Sequence, residues 1–196
     1  MLWSWGVRTV LHGLAPKAGL LMANHQSYLD IWMIPKFTIS VFVAKAEVRK
    51  MALVGWGASA VNTVYVDRSS KDSRKQTRDA ITNRLRKGRS VIIFPEGTTN
   101  FGTDMLPLKP GMFYVAAEEG IPIVPVAIYY EDDASAWVGN EPIGAHFFRN
   151  FGRWSTTAHI HYGAPMVGND PEVMAAQVKY WIEQEVAEMR KTIRKQ

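Results

Sequence analysis

Residues 73–94 read SRKQTRDAITNRLRKGRSVIIF. The stretch Ser73–Arg86 holds neither glycine nor proline and is rich in straight-chain residues, so it is expected to be helical. Gly88 stands where a helix C-terminal cap belongs, and the apolar run Val91-Ile92-Ile93-Phe94 follows at strand length. The same alternation continues on both sides. Leu20–Ala23, Val41–Ala44, Thr63–Asp67, Ser90–Phe94, Ile123–Ile128 and Ala158–Tyr162 read as strands. Tyr28–Ile34, Ser73–Arg86 and Met112–Glu118 read as the helices between them. Strand and helix in alternation predict an α/β fold with a mixed, mostly parallel sheet flanked by helices. A last helix, Pro171 to about Lys195, puts Val178, Ile182, Val186, Met189 and Ile193 on one face and is expected to close on the sheet. Arg190, Lys191, Arg194 and Lys195 suit the negative pole of its dipole.

No repeat, low-complexity tract or Pro/Gly/Ser-rich linker divides the 196 residues, so residues 1–196 are expected to form one domain. With 47% hydrophobic and 21% charged residues the composition is globular. The chain has no cysteine, which excludes a disulfide framework, a thiol nucleophile and a cysteine-ligated zinc. Its net charge of +5 calls for an anionic partner: nucleic acid, an anionic membrane surface or a phosphorylated substrate. The most apolar stretch, Ile121–Tyr130, is too short to span a bilayer and carries two prolines. Met1-Leu2-Trp3-Ser4-Trp5-Gly6 lacks the basic leader and apolar block of a signal peptide. Membrane association is therefore expected to be peripheral.

The chemistry concentrates after the short strands. Asn24-His25-Gln26-Ser27-Tyr28-Leu29-Asp30 follows the Leu20–Ala23 strand and so sits at its carboxyl end, where open α/β sheets bind ligands. Ser27 and Asp30 have capping-box spacing, with Ser27 as N-cap. In one continuous helix His25 and Asp30 would point about 140° apart. A strand-to-helix bend instead folds His25 back toward Asp30, and a histidine oriented by a carboxylate is what a general base requires. The same residues also fit an ordinary helix cap beside a half-buried histidine.

Phe94-Pro95-Glu96-Gly97-Thr98-Thr99-Asn100 follows the next apolar strand and is expected to open onto the same edge. Gly97 permits close backbone approach, and Glu96 and Thr98 can hydrogen-bond hydroxyls or help hold an anion. Lys45, Arg68 and Lys109 stand near strand ends or before a helix, placed to hold a phosphate or other anionic head group. Solvated surface charge is their other reading. His159-Ile160-His161 puts two imidazoles on one strand face with no paired carboxylate signature, so no metal site is expected.

The ordered series Asn24-His25-x-Ser27-x-x-Asp30, Lys45-x-Glu47, Val66-Asp67-Arg68, Phe94-Pro95-Glu96-Gly97-Thr98 and Ile121-Pro122-Ile123-Val124-Pro125-Val126 is more specific than any part. It resembles the glycerolipid acyltransferase family typified by 1-acylglycerol-3-phosphate O-acyltransferases, in all four sequence blocks, over a core of about residues 6–165. The resemblance implies that His25 and Asp30 are catalytic, that Arg68, Glu96 and Gly97 help bind the acceptor, and that Val124-Pro125 belongs to the acyl-donor side. It implies a fatty acyl transfer from acyl-CoA or acyl-carrier protein to the free hydroxyl of lysophosphatidate, with no cofactor, at the cytoplasmic face of the membrane. Two features depart from it. Thr99 stands where many lysophosphatidate enzymes carry arginine, and the stretch after Glu96 also looks like relatives that acylate lyso-ornithine lipid. The chain begins almost at the core, without the helical or membrane-anchoring leader common in the family, which leaves a missing leader or another mode of attachment open.

Within this reading His25 takes the proton of the acceptor hydroxyl as it attacks the thioester, and no acyl-enzyme is needed. Ser27 lacks the Gly-x-Ser-x-Gly elbow of a nucleophile and is read as a cap. Trp3, Trp5, Trp32, Met33 and Phe37 are candidate membrane contacts, with core packing as the alternative. A nucleic-acid-binding module would also account for the charge, but no helix-turn-helix, zinc-finger or RNA-recognition signature is present, so no nucleic-acid partner is expected. A catalytically silent lipid-binding protein of the same fold is a further alternative, set against the intact His25 and Asp30.

Overall fold

The computed structural model describes residues 7–38, 40–45, 63–66, 71–139, 141–151 and 156–193. The strands are β1 (Val7–His12), β2 (Leu20–Ala23), β3 (Ser40–Lys45), β4 (Val64–Val66), β5 (Ser90–Ile93), β6 (Ile123–Tyr130) and β7 (Thr156–Tyr162). The helices are α1 (Asp30–Met33), α2 (Lys71–Arg86), α3 (Gly111–Glu119), α4 (Ile143–Phe151) and α5 (Pro171–Ile193). The strands form one seven-stranded sheet in the order β1-β7-β6-β2-β5-β3-β4. Every neighbouring pair is parallel except β6–β7. The result is the expected single-domain α/β fold with a mixed, mostly parallel sheet.

The period-two alternation of the strands sorts the core into two layers. From β2, Leu21 and Ala23 face one layer with Ile92, Val126, Ile128 and Tyr130, and it is closed by Tyr28, Met33 and Ile34 around α1. Leu20 and Met22 face the other, against Ile81 of α2, Phe113 and Ala116 of α3, and Val178, Ile182 and Val186 of α5. Each of these α5 side chains is essentially buried, and burial of that kind stabilises by about 1.5–3 kcal/mol per residue. The C-terminal helix therefore closes on the sheet as its apolar stripe predicted. Gly88 ends α2 with a positive φ of 70°, the left-handed conformation the capping argument required.

The structure adds two elements and corrects two expectations. β1 was not foreseen: Val7–His12 pairs along its whole length with β7 and is a strand by virtue of that partner. α4 was not foreseen either. The predicted helix Tyr28–Ile34 is a single turn, α1, followed by a 3-10 turn over Ile34–Lys36 with Pro35 in its first positions, where proline withdraws a backbone donor from any longer helix. Met33 is fully buried in the core, so it is not a membrane contact, while Trp3 and Trp5 lie outside the described residues. Trp32 is half-buried, and Phe37, also half-buried, packs against the core.

Candidate active site

β2 sits between β6 and β5, both parallel to it, so the segments leaving all three open at one edge. Asn24 fixes the end of β2: its Nδ2 donates to the Ile128 carbonyl at 2.9 Å and its Oδ1 accepts from the Ile128 N–H at 2.8 Å. The chain then turns, and Asp30 organises the turn from the start of α1. Its Oδ2 accepts from the Gln26 N–H at 2.9 Å and the Ser27 N–H at 3.1 Å. This is the carboxylate half of the predicted capping box. The other half is absent: the N-cap is Leu29, and no side chain caps the helix.

His25 folds back over this turn, with Nδ1 2.8 Å from Asp30 Oδ2. Asp30 is fully buried, and its Oδ1 accepts from the Tyr130 hydroxyl at 2.6 Å. An Asp30 that accepts from three other donors has its oxygens occupied, so the proton of the His25–Asp30 bond belongs to Nδ1. The lone pair of the imidazole is then on Nε2. The ring stacks on Phe94 at 3.9 Å between centroids and 15° between planes, and the side chain keeps 17% of its surface exposed.

The segment after β5 wraps the turn. Glu96 Oε1 accepts from the His25 N–H at 3.2 Å, and Oε2 accepts from the Leu106 N–H at 2.9 Å. Burial raises the Glu96 carboxyl above its ordinary value, and the two backbone donors partly offset that. The Asn100 N–H donates to the His25 carbonyl at 2.7 Å. Gly97 has a φ of 74°, and a Cβ there would collide with Lys109 Nζ, so the lysine side chain lies directly over the glycine. Thr98 is exposed. Beside this segment a groove of about 670 Å³ runs between α2 and α3, with Met22, Val43, Ile81, Ile93 and Phe94 as its apolar lining and Lys109 at its polar side.

The structure thus brings His25, Asp30, Glu96, Gly97 and Lys109 together. Lys45 ends β3, two strands from β2. Arg68 lies outside the described residues. Tyr130 was missed, because it sits at the end of an apolar run and reads there as core. His159 and His161 do have carboxylate partners, Glu131 and Glu185, each at 2.8 Å. Among the described residues no group of three or more histidine and carboxylate side chains is arranged to hold a metal ion.

The protein-family model described as Acyltransferase matches residues 10–129, which takes in β2, the His25 turn, the Glu96 segment and most of β6. The chain belongs to the acyltransferase family. Among its relatives is the lyso-ornithine lipid O-acyltransferase of Pseudomonas aeruginosa, 32% identical over 160 residues, or 79% of this chain and 62% of the relative. Another is the 1-acyl-sn-glycerol-3-phosphate acyltransferase of Neisseria gonorrhoeae, 32% identical over 118 residues, or 60% of this chain and 46% of the relative. The chain thus spans about half to three fifths of the length of these curated relatives. The crystal structure of the 1-acyl-sn-glycerophosphate acyltransferase PlsC from Thermotoga maritima superimposes with a TM-score of 0.69, covering 96% of this chain and 75% of that one at 24% identity. That likeness establishes the fold of this acyltransferase-family chain and bears on nothing finer. Tyr130 falls one residue past the matched span, so a reading confined to the family blocks stops short of it.

Proposed function

We propose that this acyltransferase-family chain moves a fatty acyl group from the thioester of acyl-CoA or acyl-carrier protein to the free hydroxyl of lysophosphatidate, giving phosphatidate. The observation that carries the proposal is the His25–Asp30 pair, with Nδ1 committed to the carboxylate and Nε2 left as the base at the strand edge. An alcohol is almost wholly protonated at neutral pH and is a poor nucleophile. Nε2 takes its proton as the oxygen attacks the thioester carbonyl carbon. The tetrahedral intermediate collapses by breaking the C–S bond, and the Nε2 proton passes to the departing thiolate. Products are the new ester and a free thiol, and the imidazole is neutral again. General base catalysis of this kind contributes about 10²–10⁴-fold.

The apolar groove beside Phe94 suits a fatty chain, and Lys109 over Gly97 suits an anionic head group at the same edge. Arg68 and Lys45 are proposed as further head-group contacts, with Glu96 bracing the turn. We place the reaction at a membrane surface, on its cytoplasmic side. A second acceptor, lyso-ornithine lipid, is favoured by one observation: the relative that covers 79% of this chain carries that name.

The test is a panel of lyso-acceptors with labelled acyl-CoA and acyl-carrier protein, read by mass spectrometry. His25→Ala should lower turnover at least about 10²-fold with the fold intact, and Asp30→Asn should be somewhat milder, since the base remains. Arg68→Ala should lower kcat/KM for lysophosphatidate about tenfold or more, as loss of one charge-assisted bond costs about 1.5–3 kcal/mol. Near-normal turnover by His25→Ala would sink the base mechanism. Turnover of lyso-ornithine lipid with none of lysophosphatidate would transfer the proposal to that acceptor.

A further inference from the structure

Tyr130 closes β6 with 2% of its surface exposed, and its hydroxyl donates to Asp30 Oδ1 at 2.6 Å. Its other neighbours are Met33 Sδ at 3.9 Å, a weak acceptor, and the Ser27 side chain, which also hydrogen-bonds this hydroxyl. The three remaining donors to Asp30, from His25, Gln26 and Ser27, all converge on Oδ2. They hold one oxygen and leave the carboxylate free to rock about it. A donor on Oδ1 removes that freedom and keeps Oδ2 aimed at His25 Nδ1.

Resting on the general-base reading above, we propose that Tyr130 is a positioning residue for the reaction: it locks the plane of the Asp30 carboxylate and tunes how strongly that carboxylate supports the His25 imidazolium. Two further observations agree. Burial and the adjacent Asp30 charge push the Tyr130 hydroxyl far above the ordinary phenol range, so it is protonated, and a donor, at every working pH. Nor is a buried tyrosine hydroxyl in this layer bonded by default. Tyr162, which faces the same layer from β7, has a buried hydroxyl with no partner among the described residues. The contact gives β6 a mechanical part in catalysis. The strand is tied to the active-site turn twice, by Asn24 on Ile128 and by Tyr130 on Asp30.

The test is Tyr130→Phe, which keeps the ring and removes one oxygen. Turnover should fall about tenfold to a hundredfold with KM for both substrates within about twofold, as expected for one hydrogen bond to a charged group. The ascending limb of the kcat/KM pH profile should move to higher pH, because a carboxylate relieved of a donor holds the imidazolium proton more tightly. A fluorotyrosine at position 130, a stronger donor, should move the same limb to lower pH. Opposite shifts would not follow from a role in packing, and the fluorotyrosine arm serves if Tyr130→Phe folds poorly. Tyr162→Phe, which loses a buried hydroxyl of the same layer, should keep wild-type turnover and profile. Tyr130→Phe with wild-type turnover and an unmoved pH limb, while His25→Ala is inactive, would overturn this assignment alone. Full activity in His25→Ala would overturn the general-base reading beneath it.

Discussion

Gly97 and Lys109 show how little room the site leaves at the scale of one residue. An alanine at 97 meets two penalties, a φ of 74° and the Lys109 side chain above it. The clash is the lesser, since the far end of a lysine swings away readily. The left-handed backbone costs a Cβ-bearing residue about 1–2 kcal/mol wherever the lysine goes. Gly97→Ala should therefore lower stability by about that amount in chemical denaturation and raise the acceptor KM as Lys109 is displaced. An unchanged denaturation midpoint and KM would show that neither the turn nor the lysine is held this way. The pairing of His25 with Asp30 was legible because a five-residue offset makes sense only across a bend. Tyr130 was not, because Ile121–Tyr130 is apolar throughout and a tyrosine at its end is indistinguishable from core until the neighbouring strand is known. Ser27 misled for a related reason: capping-box spacing was present, but only the carboxylate half was used.

Between elements the differences follow the same logic. β5 and α2 were readable because period and cap lie within each segment. β1 owes its conformation to β7, and α4 opens Ile143-Gly144-Ala145, with a glycine, a poor helix former, in its first turn. The β1–β7 junction also holds a titratable cluster. His12 of β1 lies 2.9 Å from His159 and stacks on it, with His161 nearby on the same strand; Glu131 bonds His159, and Glu185 of α5 bonds His161. Burial, then the fields of His159 and His161, lower the His12 pKa, while Glu185 opposes them. Because the folded-state value lies below the unfolded one, His12 contributes stability above the ordinary value of 6.5 and loses it as pH falls through the lowered folded value. Acidification below about pH 6.5 should accordingly lower the hydrogen-exchange protection factors of the β1 amides, measured against intrinsic rates at each pH, before those of the central strands, and His12→Phe should flatten that dependence. Equal acid sensitivity in β1 and β5 would argue against a local effect.

For the molecule as a whole, no helix among the described residues is long and apolar enough to cross a membrane, and the net charge is +5. Cationic side chains such as Lys87 and Arg89, just after α2, can each add up to about 1 kcal/mol of attraction to an anionic surface. Binding of this 196-residue chain to anionic vesicles should therefore be released by high salt or alkaline carbonate, and retention after a carbonate wash would show deeper insertion. The order of the strands has a consequence in time. β2 finds its partners about 70 residues downstream in β5 and about 100 downstream in β6. At a ribosomal rate of about 5–20 residues per second, His25 is synthesised about 5–20 s before the strand that holds its aspartate in place. The His25 turn lacks that brace during the interval, and the edge formed by β1 and β7 waits longer still, for residues 156–162.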